Sequence, residues 1–468
     1  MRHFVTAMFL LLCATPTLAQ PAPEAPSAQP GAQPASGAPA AQESAPPGFW
    51  DRDTMLGDLG GVRTRLENFG IKFGLMEQEE LWGTVSGGLA AGPAYDGLTT
   101  MSVNLDLEKM VGWTGASIFA NAYQIHGLGP EGNVGALQLL SSIEATPSTR
   151  LFDLYIDQKL FGGVLDIRIG QGGINDEFML STGAAVLLNS SFGFPAWEAI
   201  NLPSGAPNYP LAAPFARITV TPDQTWTGML AIFDGNPAGP GTNNPQVRDA
   251  SGTLFRVQDP ALVVGEVWYS VNQGQDAKGL PGRYKLGFVY HFGRFYDQEF
   301  DTVGIPLASP LSNGLPKLRQ HDYALYAVAD QTIWPTGKDT GVGLFGQIMG
   351  GPGDRNLVNI SAFGGVNWKG AIPGREADTL AVGFAYVGIG SHATNFANQQ
   401  ALLGTGAPSQ GSETVLEATY QAQVTGWLQV QPDFQYVINP GAGFTPVNGV
   451  RTKIPNATVL GLRGTLTF

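Results

Sequence analysis

Residues Val459 to Phe468 close the chain with a strict two-residue period. Leu460, Leu462, Leu466 and Phe468 share one face, and Arg463, Thr465 and Thr467 share the other. A β-strand places alternate side chains on opposite faces. A half-buried strand of a soluble protein shows the same alternation. This strand, however, has about the 9–11 residues that cross a bilayer with lipid on one face and water on the other, and it ends on an aromatic carboxy terminus. The expectation is a closed barrel sealed by pairing of this strand with the first one.

The pattern recurs along the chain. Met101, Val103, Leu105 and Leu107 alternate with Ser102, Asn104, Asp106 and Glu108. Ile167 and Ile169 flank Arg168, and Ile218 and Val220 follow Arg217 in the same way. Tyr284, Leu286, Phe288, Tyr290 and Phe292 alternate with Lys285, Gly287, Val289 and His291. Leu380 to Tyr386, Leu416 to Tyr420 and Leu428 to Ile438 continue it. Aromatic residues near segment ends suit the girdles of a membrane barrel. No run of 18 apolar residues occurs, so no helix spans a bilayer. A hydrophobic fraction of 43% with mean hydropathy of +0.00 fits a large soluble β protein or a barrel whose lipid face takes only alternate positions. The repeated alternation decides for the barrel: all-β, transmembrane, antiparallel and up-and-down, with about 16–18 strands in the roughly 400 residues available.

The amino-terminal stretch reads differently. A short basic start, an apolar run from Phe4 to Cys13 and Thr17-Leu18-Ala19 predict a signal peptide over 1–19, cleaved after Ala19. The only cysteine, Cys13, follows Leu12, which does not suit lipidation, and it leaves with the leader. Residues 20–48 are Pro/Ala-rich and predict a disordered linker, a passive tether or a spacer touching cell wall. Residues 49–70 carry a short amphipathic helix over Asp53 to Gly70, capped by Asp58, at the lumen mouth or the periplasmic rim. The barrel takes 71–468. Four Pro/Gly-rich loops are expected: Asn189 to Pro214, Asn236 to Asp259, Asp297 to Gln320 and Ser391 to Gly411.

A net charge of −13 excludes a nucleic-acid partner. Without cysteine in the mature chain there is no disulfide or thiolate metal site, and no metal-ligand cluster or cofactor motif rises above background. A barrel hydrolase needs a nucleophile with a positioned base, but no Gly-x-Ser-x-Gly elbow is present and the five histidines lie in unrelated contexts. A plugged transporter needs a folded domain ahead of the barrel. An adhesin needs only loops and stays open as an alternative, as does a general diffusion porin.

Strand parity supplies candidate channel-lining residues: Asp106, Arg168, Arg217, Glu266, Lys285, Glu413, Glu417, Trp427 and Arg463. Such groups offer hydroxyl partners to a polyol, with binding weak enough for release. The first long loop is the preferred one to fold inward. Its Phe192, Phe194, Trp197 and Tyr209 either stack on sugar rings or pack the loop.

Several stretches resemble the carbohydrate-selective porins of the OprB family. Leu56-Gly57-Asp58-Leu59-Gly60-Gly61-Val62-Arg63 with Leu66 is similar to the family's opening helix. Ile232 to Pro237, Trp368-Lys369-Gly370 with Ile372 to Arg375, and Glu417 with Tyr420 followed by Gln431 to Gly441 are similar to its later strands and hairpin. The resemblance runs from about Leu56 to Phe468. It implies a 16-stranded outer-membrane barrel for passive diffusion of glucose and other sugars in a Gram-negative bacterium, with no cofactor. Expected partners are small carbohydrates, outer-membrane lipid and lipopolysaccharide, and the barrel-assembly machinery, which would read Phe468. The assembly would be a monomer or homotrimer.

Overall fold

The computed structural model describes residues 48–274, 277–447 and 449–468. The predicted signal peptide and all but the last residue of the predicted linker lie outside the described residues. The described residues form one closed antiparallel barrel of sixteen strands. In chain order these begin β1 Ile71–Ser86, β2 Gly92–Asp106, β3 Ala116–Leu128, β4 Ser148–Leu160 and β5 Leu165–Gly172. Next come β6 Ala213–Val220, β7 Trp226–Asp234, β8 Ala261–Val271, β9 Gly282–Asp301 and β10 Pro316–Pro335. The wall continues with β11 Gly341–Gly350, β12 Val358–Lys369, β13 Thr379–Ile389, β14 Ser412–Thr425 and β15 Leu428–Ile438. A two-residue pair, β16 Pro446–Val447 and β17 Val450–Arg451, stands apart, and β18 Ala457–Thr467 completes the wall. As expected, β18 pairs with β1, with Leu462 opposite Leu81 and Arg463 opposite Glu80.

Faces follow parity. Leu462, Ile169, Ile218, Leu286, Val382, Leu416 and Phe434 are all exposed on the outer face, which suits lipid. Turns such as 161–164, 221–225 and 426–427 at one end are short; the longest loops, among them 129–147, 173–212 and 235–260, all lie at the other end. Outer-membrane barrels have short periplasmic turns and long extracellular loops, so both described termini lie on the periplasmic side.

Three boundaries depart from expectation. Helix α1 covers only Val62–Phe69, preceded by a 3-10 turn at Leu59–Gly61, because Gly60 and Gly61 take left-handed φ of 69° and 89° that breaks a longer helix. The N-cap residue is Gly61 rather than the expected Asp58, although the Asp58 carboxylate reaches the first turn and accepts from Thr64 N at 2.8 Å. The segment follows the periplasmic rim: Met55 N donates to Thr467 O at 2.8 Å, and Arg63 donates to Phe73 O and to Phe468 O. Second, Asp297 to Gln320 is not one loop, since β9 and β10 each run 20 residues and leave only 302–315 between them. Third, the inward loop begins at Gly173, sixteen residues before Asn189.

The interior is partly filled. Ile174, Phe178, Trp197 and Leu202 of the 173–212 loop pack against Phe233, Leu262, Val264 and Met349 of the wall. Leu187, Leu188 and Phe192 pack with Leu140 of the 129–147 loop against Phe345, Val415, Val437 and Val459. The inner face is therefore not uniformly polar. Its apolar positions seat two loops folded into the barrel.

Candidate functional site: the loop-lined lumen

Residues 179–189 run along the inside of the wall from β8 to β15. Glu266 on β8 accepts from Met179 N at 2.7 Å and from Tyr326 OH at 2.8 Å. Lys285 on β9 donates to Leu180 O at 2.7 Å. Asp330 on β10 accepts from Ser181 Oγ at 2.6 Å and Gly183 N at 2.9 Å. Glu417 on β14 accepts from Leu188 N at 2.5 Å and Asn189 N at 3.0 Å, and Gln431 on β15 donates to Val186 O at 2.6 Å. A carboxylate accepting two backbone N–H groups is a strong tether, because each bond is charge-assisted.

The 129–147 loop covers the adjoining wall. Glu413 accepts from Leu137 N, Gln138 N and, from the last long loop, Gly441 N. Arg463 pairs with Glu80 at 2.5 Å and donates to Ser142 Oγ at 2.9 Å. The two loops join where Ser190 N donates to Leu139 O and Ser191 Oγ donates to Gln138 Oε1.

On β4–β6 the wall carries a charged cluster instead. Arg168 binds Asp157 Oδ1 through Nε at 3.0 Å and Glu177 Oε1 through Nη1 at 2.8 Å. Its guanidinium lies 4.0 Å from the centre of the Tyr155 ring. Arg217 binds Asp166 at 2.6 Å and Glu177 Oε2 at 2.7 Å. The Arg217 side chain is 3% exposed, whereas Arg168, Asp166 and Glu177 keep 18%, 18% and 19% of their side-chain surface open. Along the same inner face, Lys285 Nζ and the Arg283 guanidinium lie 4.3 and 5.0 Å from the Trp268 ring centre. Cations on an aromatic face attract the ring quadrupole and leave a platform with polar edges.

Among the sequence candidates, the structure brings Arg168 and Arg217 together. It brings Glu266 near Lys285 at 3.9 Å. It gives Glu413, Glu417 and Arg463 to loop attachment. It places two elsewhere. Asp106 ends β2 and caps the short helix α2 (Leu107–Val111), accepting from Lys109 N at the periplasmic turn. Trp427 sits in the β14–β15 turn, stacked 5.7 Å from Trp50 and donating to Phe49 O at 3.0 Å. Strand parity loses its meaning where the backbone leaves the strand, and both residues stand at that point. Of the loop aromatics, Phe192 packs against Phe345 and Phe363, Trp197 is fully buried, and Tyr209 packs on Tyr123 while donating to Ile143 O. Phe194 is half-buried.

Sequence reasoning missed Tyr155, Asp157, Glu177, Trp268, Arg283 and Asp330. Trp268 shares the parity of Glu266, and Asp157 shares that of Tyr155, so the same rule applied more widely finds them. Glu177 lies in an aperiodic loop and gives no such signal.

The comparisons agree with this architecture. A family model described as "Carbohydrate-selective porin, OprB family" matches residues 90–468. Porin B of Pseudomonas aeruginosa is 26% identical over 440 residues, covering 87% of this chain and 90% of that protein. The putative porin QuiX of Acinetobacter baylyi is 23% identical over 468 residues, covering 90% and 94%. The high-pH structure of Pseudomonas putida OprB superposes with a TM-score of 0.79 at 25% identity, covering 90% of this chain and all of that one. With its barrel sealed between β1 and β18 and its lumen lined by two inward loops, the chain belongs to the OprB family of carbohydrate-selective porins.

Proposed function

We propose that the sugar path of this outer-membrane channel runs along the β4–β9 side of the lumen, past the Arg168–Glu177–Arg217 cluster and Trp268. The observation that carries this is selective exposure. The loops cover much of the wall from β10 round to β2 and take Glu266 and Lys285 at β8 and β9, leaving Trp268 half-buried, while Arg168, Asp166 and Glu177 keep open surface beside the Tyr155 ring. A sugar hydroxyl can then exchange hydrogen bonds with a guanidinium or carboxylate that already has a partner. The exchange is nearly even in energy, so binding stays weak and the sugar leaves. Trp268 with Arg283 and Lys285 would offer the next aromatic face.

The transfer is passive, and the charged cluster is assigned no chemical step. The 173–212 loop forms the constriction by occupying the lumen, its buried aromatics packing the loop rather than touching solute. The outer apolar belt is the surface for outer-membrane lipid and lipopolysaccharide. Phe468, whose N–H donates to Leu75 O at 2.9 Å, is the end read by the assembly machinery. The sugar path is tested by sugar-dependent current noise in planar bilayers. Arg168→Ala should raise the sugar concentration for half-block, and an unchanged value removes Arg168 from the path.

A further inference from the structure

The outer face of β1–β3 carries a polar cluster on an otherwise apolar belt. Leu81 of β1 is outward and 59% exposed, so Glu77 and Glu79 of the same parity also point out of the barrel. No register shift interrupts β1 against β2 between Ile71 and Thr84. Two cross-strand rows result. Glu79 lies opposite Gly97 of β2, and Gly97 opposite His126 of β3; Glu77, Thr99 and Gln124 form the next row on that face. Gly97 leaves the first row open: a Cβ there would stand 2.2 Å from His126 Nε2 and 2.6 Å from Glu79 Oε2. The missing side chain is what lets a residue of β1 meet one of β3 over β2. Glu79 and His126 are 47 positions apart, so no ligand spacing in the sequence announces the pair.

The hydrogen bonds around the imidazole fix its tautomer. Gln124 Nε2 donates to Ile125 O at 3.3 Å, which turns Gln124 Oε1 toward His126 Nδ1 at 3.0 Å. An amide oxygen only accepts, so Nδ1 carries the proton. Nε2 then presents its lone pair to both Glu79 oxygens, at 3.3 and 3.4 Å. Thr99 Oγ1 orients the second carboxylate by donating to Glu77 Oε2 at 2.7 Å, and Glu77 Oε1 is buried without a partner. Acceptors that face one another need a cation between them, either a second proton on the ring or a metal ion. Depth decides which. Glu77 and Glu79 are the seventh and ninth of the 16 residues of β1, with Leu75 and Leu81 on either side along that face. They fall near the centre of an apolar band about 25 Å tall. A proton on Nε2 leaves one carboxylate charge uncompensated in hydrocarbon, where charge is costly. A divalent cation with a neutral imidazole balances both carboxylates.

We propose that Glu77, Glu79 and His126 form a zinc site on the outer wall, with His126 Nε2 and oxygens of both carboxylates as ligands. One donor atom from each residue lies within 4.8 Å of the other two. Ligands about 2.0–2.2 Å from a tetrahedral zinc stand roughly 3.4 Å apart. The distance from Nε2 to Glu79 Oε1 is 3.3 Å. Both Glu79 oxygens are within reach, so a bidentate Glu79 fills the fourth position. The imidazole selects against calcium and magnesium, which take oxygen ligands. Gln124 and Thr99 hold the ligands from outside, as groups behind a metal site commonly do through the other histidine nitrogen. An ion there pins β1 to β3 across β2, one strand from the β1–β18 seam that closes the barrel. It lies on the opposite face of the wall from the sugar path.

The test is the zinc content of the purified, detergent-solubilised protein after stripping with a chelator, reloading with zinc chloride at neutral pH and desalting. Stoichiometric zinc is expected, and cobalt in its place should give the visible absorption of a four-coordinate site. His126→Gln should abolish both. Gln124→Leu should weaken zinc binding about 10–100-fold by releasing the imidazole. His392→Gln, at another histidine that faces carboxylates, should change neither. Glu79→Gln takes the place of His126→Gln if that variant loses the folded, heat-modifiable band. Sugar block should be the same with and without zinc. No zinc retained by the wild type, retention unchanged in His126→Gln, or loss on His392→Gln instead overturns the proposal.

Discussion

Glu177 and Arg217 meet at 2.7 Å although one belongs to an extracellular loop and the other to the barrel wall. The other Glu177 oxygen takes Arg168, so one loop carboxylate holds two wall cations. Glu177→Gln removes that charge and leaves the guanidiniums with Asp157 and Asp166. Reversal potentials in a salt gradient should shift toward anions, and sugar half-block concentrations should change with the barrel still folded.

Arg168→Ala and Arg217→Ala should separate permeation from stability. Arg217 is nearly closed off and faces three carboxylates. Removing it leaves Asp166 without its cation and only Arg168 holding Asp157 and Glu177, and each charge-assisted bond lost costs about 1.5–3 kcal/mol. Arg168 is more open and its removal costs less. Thermal unfolding should fall clearly for Arg217→Ala and little for Arg168→Ala, while sugar block changes in both.

Glu417→Ala cuts the two bonds that hold Leu188 and Asn189. Each hydrogen bond to a charged group contributes about 1.5–3 kcal/mol. The loop should leave the wall at β14, raising single-channel conductance and letting larger oligosaccharides swell liposomes. An unchanged size cut-off would show that the remaining tethers at Glu266, Asp330 and Gln431 suffice.

Glu198, in the short helix Ala196–Asn201 of the inward loop, is fully buried. Burial pushes its carboxyl up to about 8, with Asn175 opposing the shift. The packed loop therefore binds more protons than the released loop between the usual carboxylate range and about pH 8, so its packing weakens as pH rises through that window and is strongest below it. Conductance fluctuations should increase from about pH 5 to pH 8 in the wild type and stay flat in Glu198→Gln.

Trp427→Ala should free the rim segment without touching permeation. It removes the stack on Trp50 and the bond to Phe49 O. Truncating a buried Trp costs about 3–5 kcal/mol. Limited proteolysis between 49 and 61 should accelerate, with sugar block unchanged.

Alternation alone determined the fold and the direction of each wall side chain. A strand has a period of two whatever it packs on, so Arg168, Arg217, Glu266, Lys285, Glu413, Glu417 and Arg463 read as inward from their neighbours. The terminal strand with its aromatic end pointed to barrel closure for the same local reason. Periodicity carries no information about what comes to lie opposite. Glu417 holds residues 229 and 228 positions away, and Glu413 holds Gln138 from 275 away. Those partners arrive because two aperiodic loops fold inward onto apolar wall positions, which no two-residue pattern encodes. Tertiary structure thus decided which inward charges are tethers and which keep a face open to solute. It also moved Asp106 and Trp427 to the rim, where the strand that gave them a parity ends.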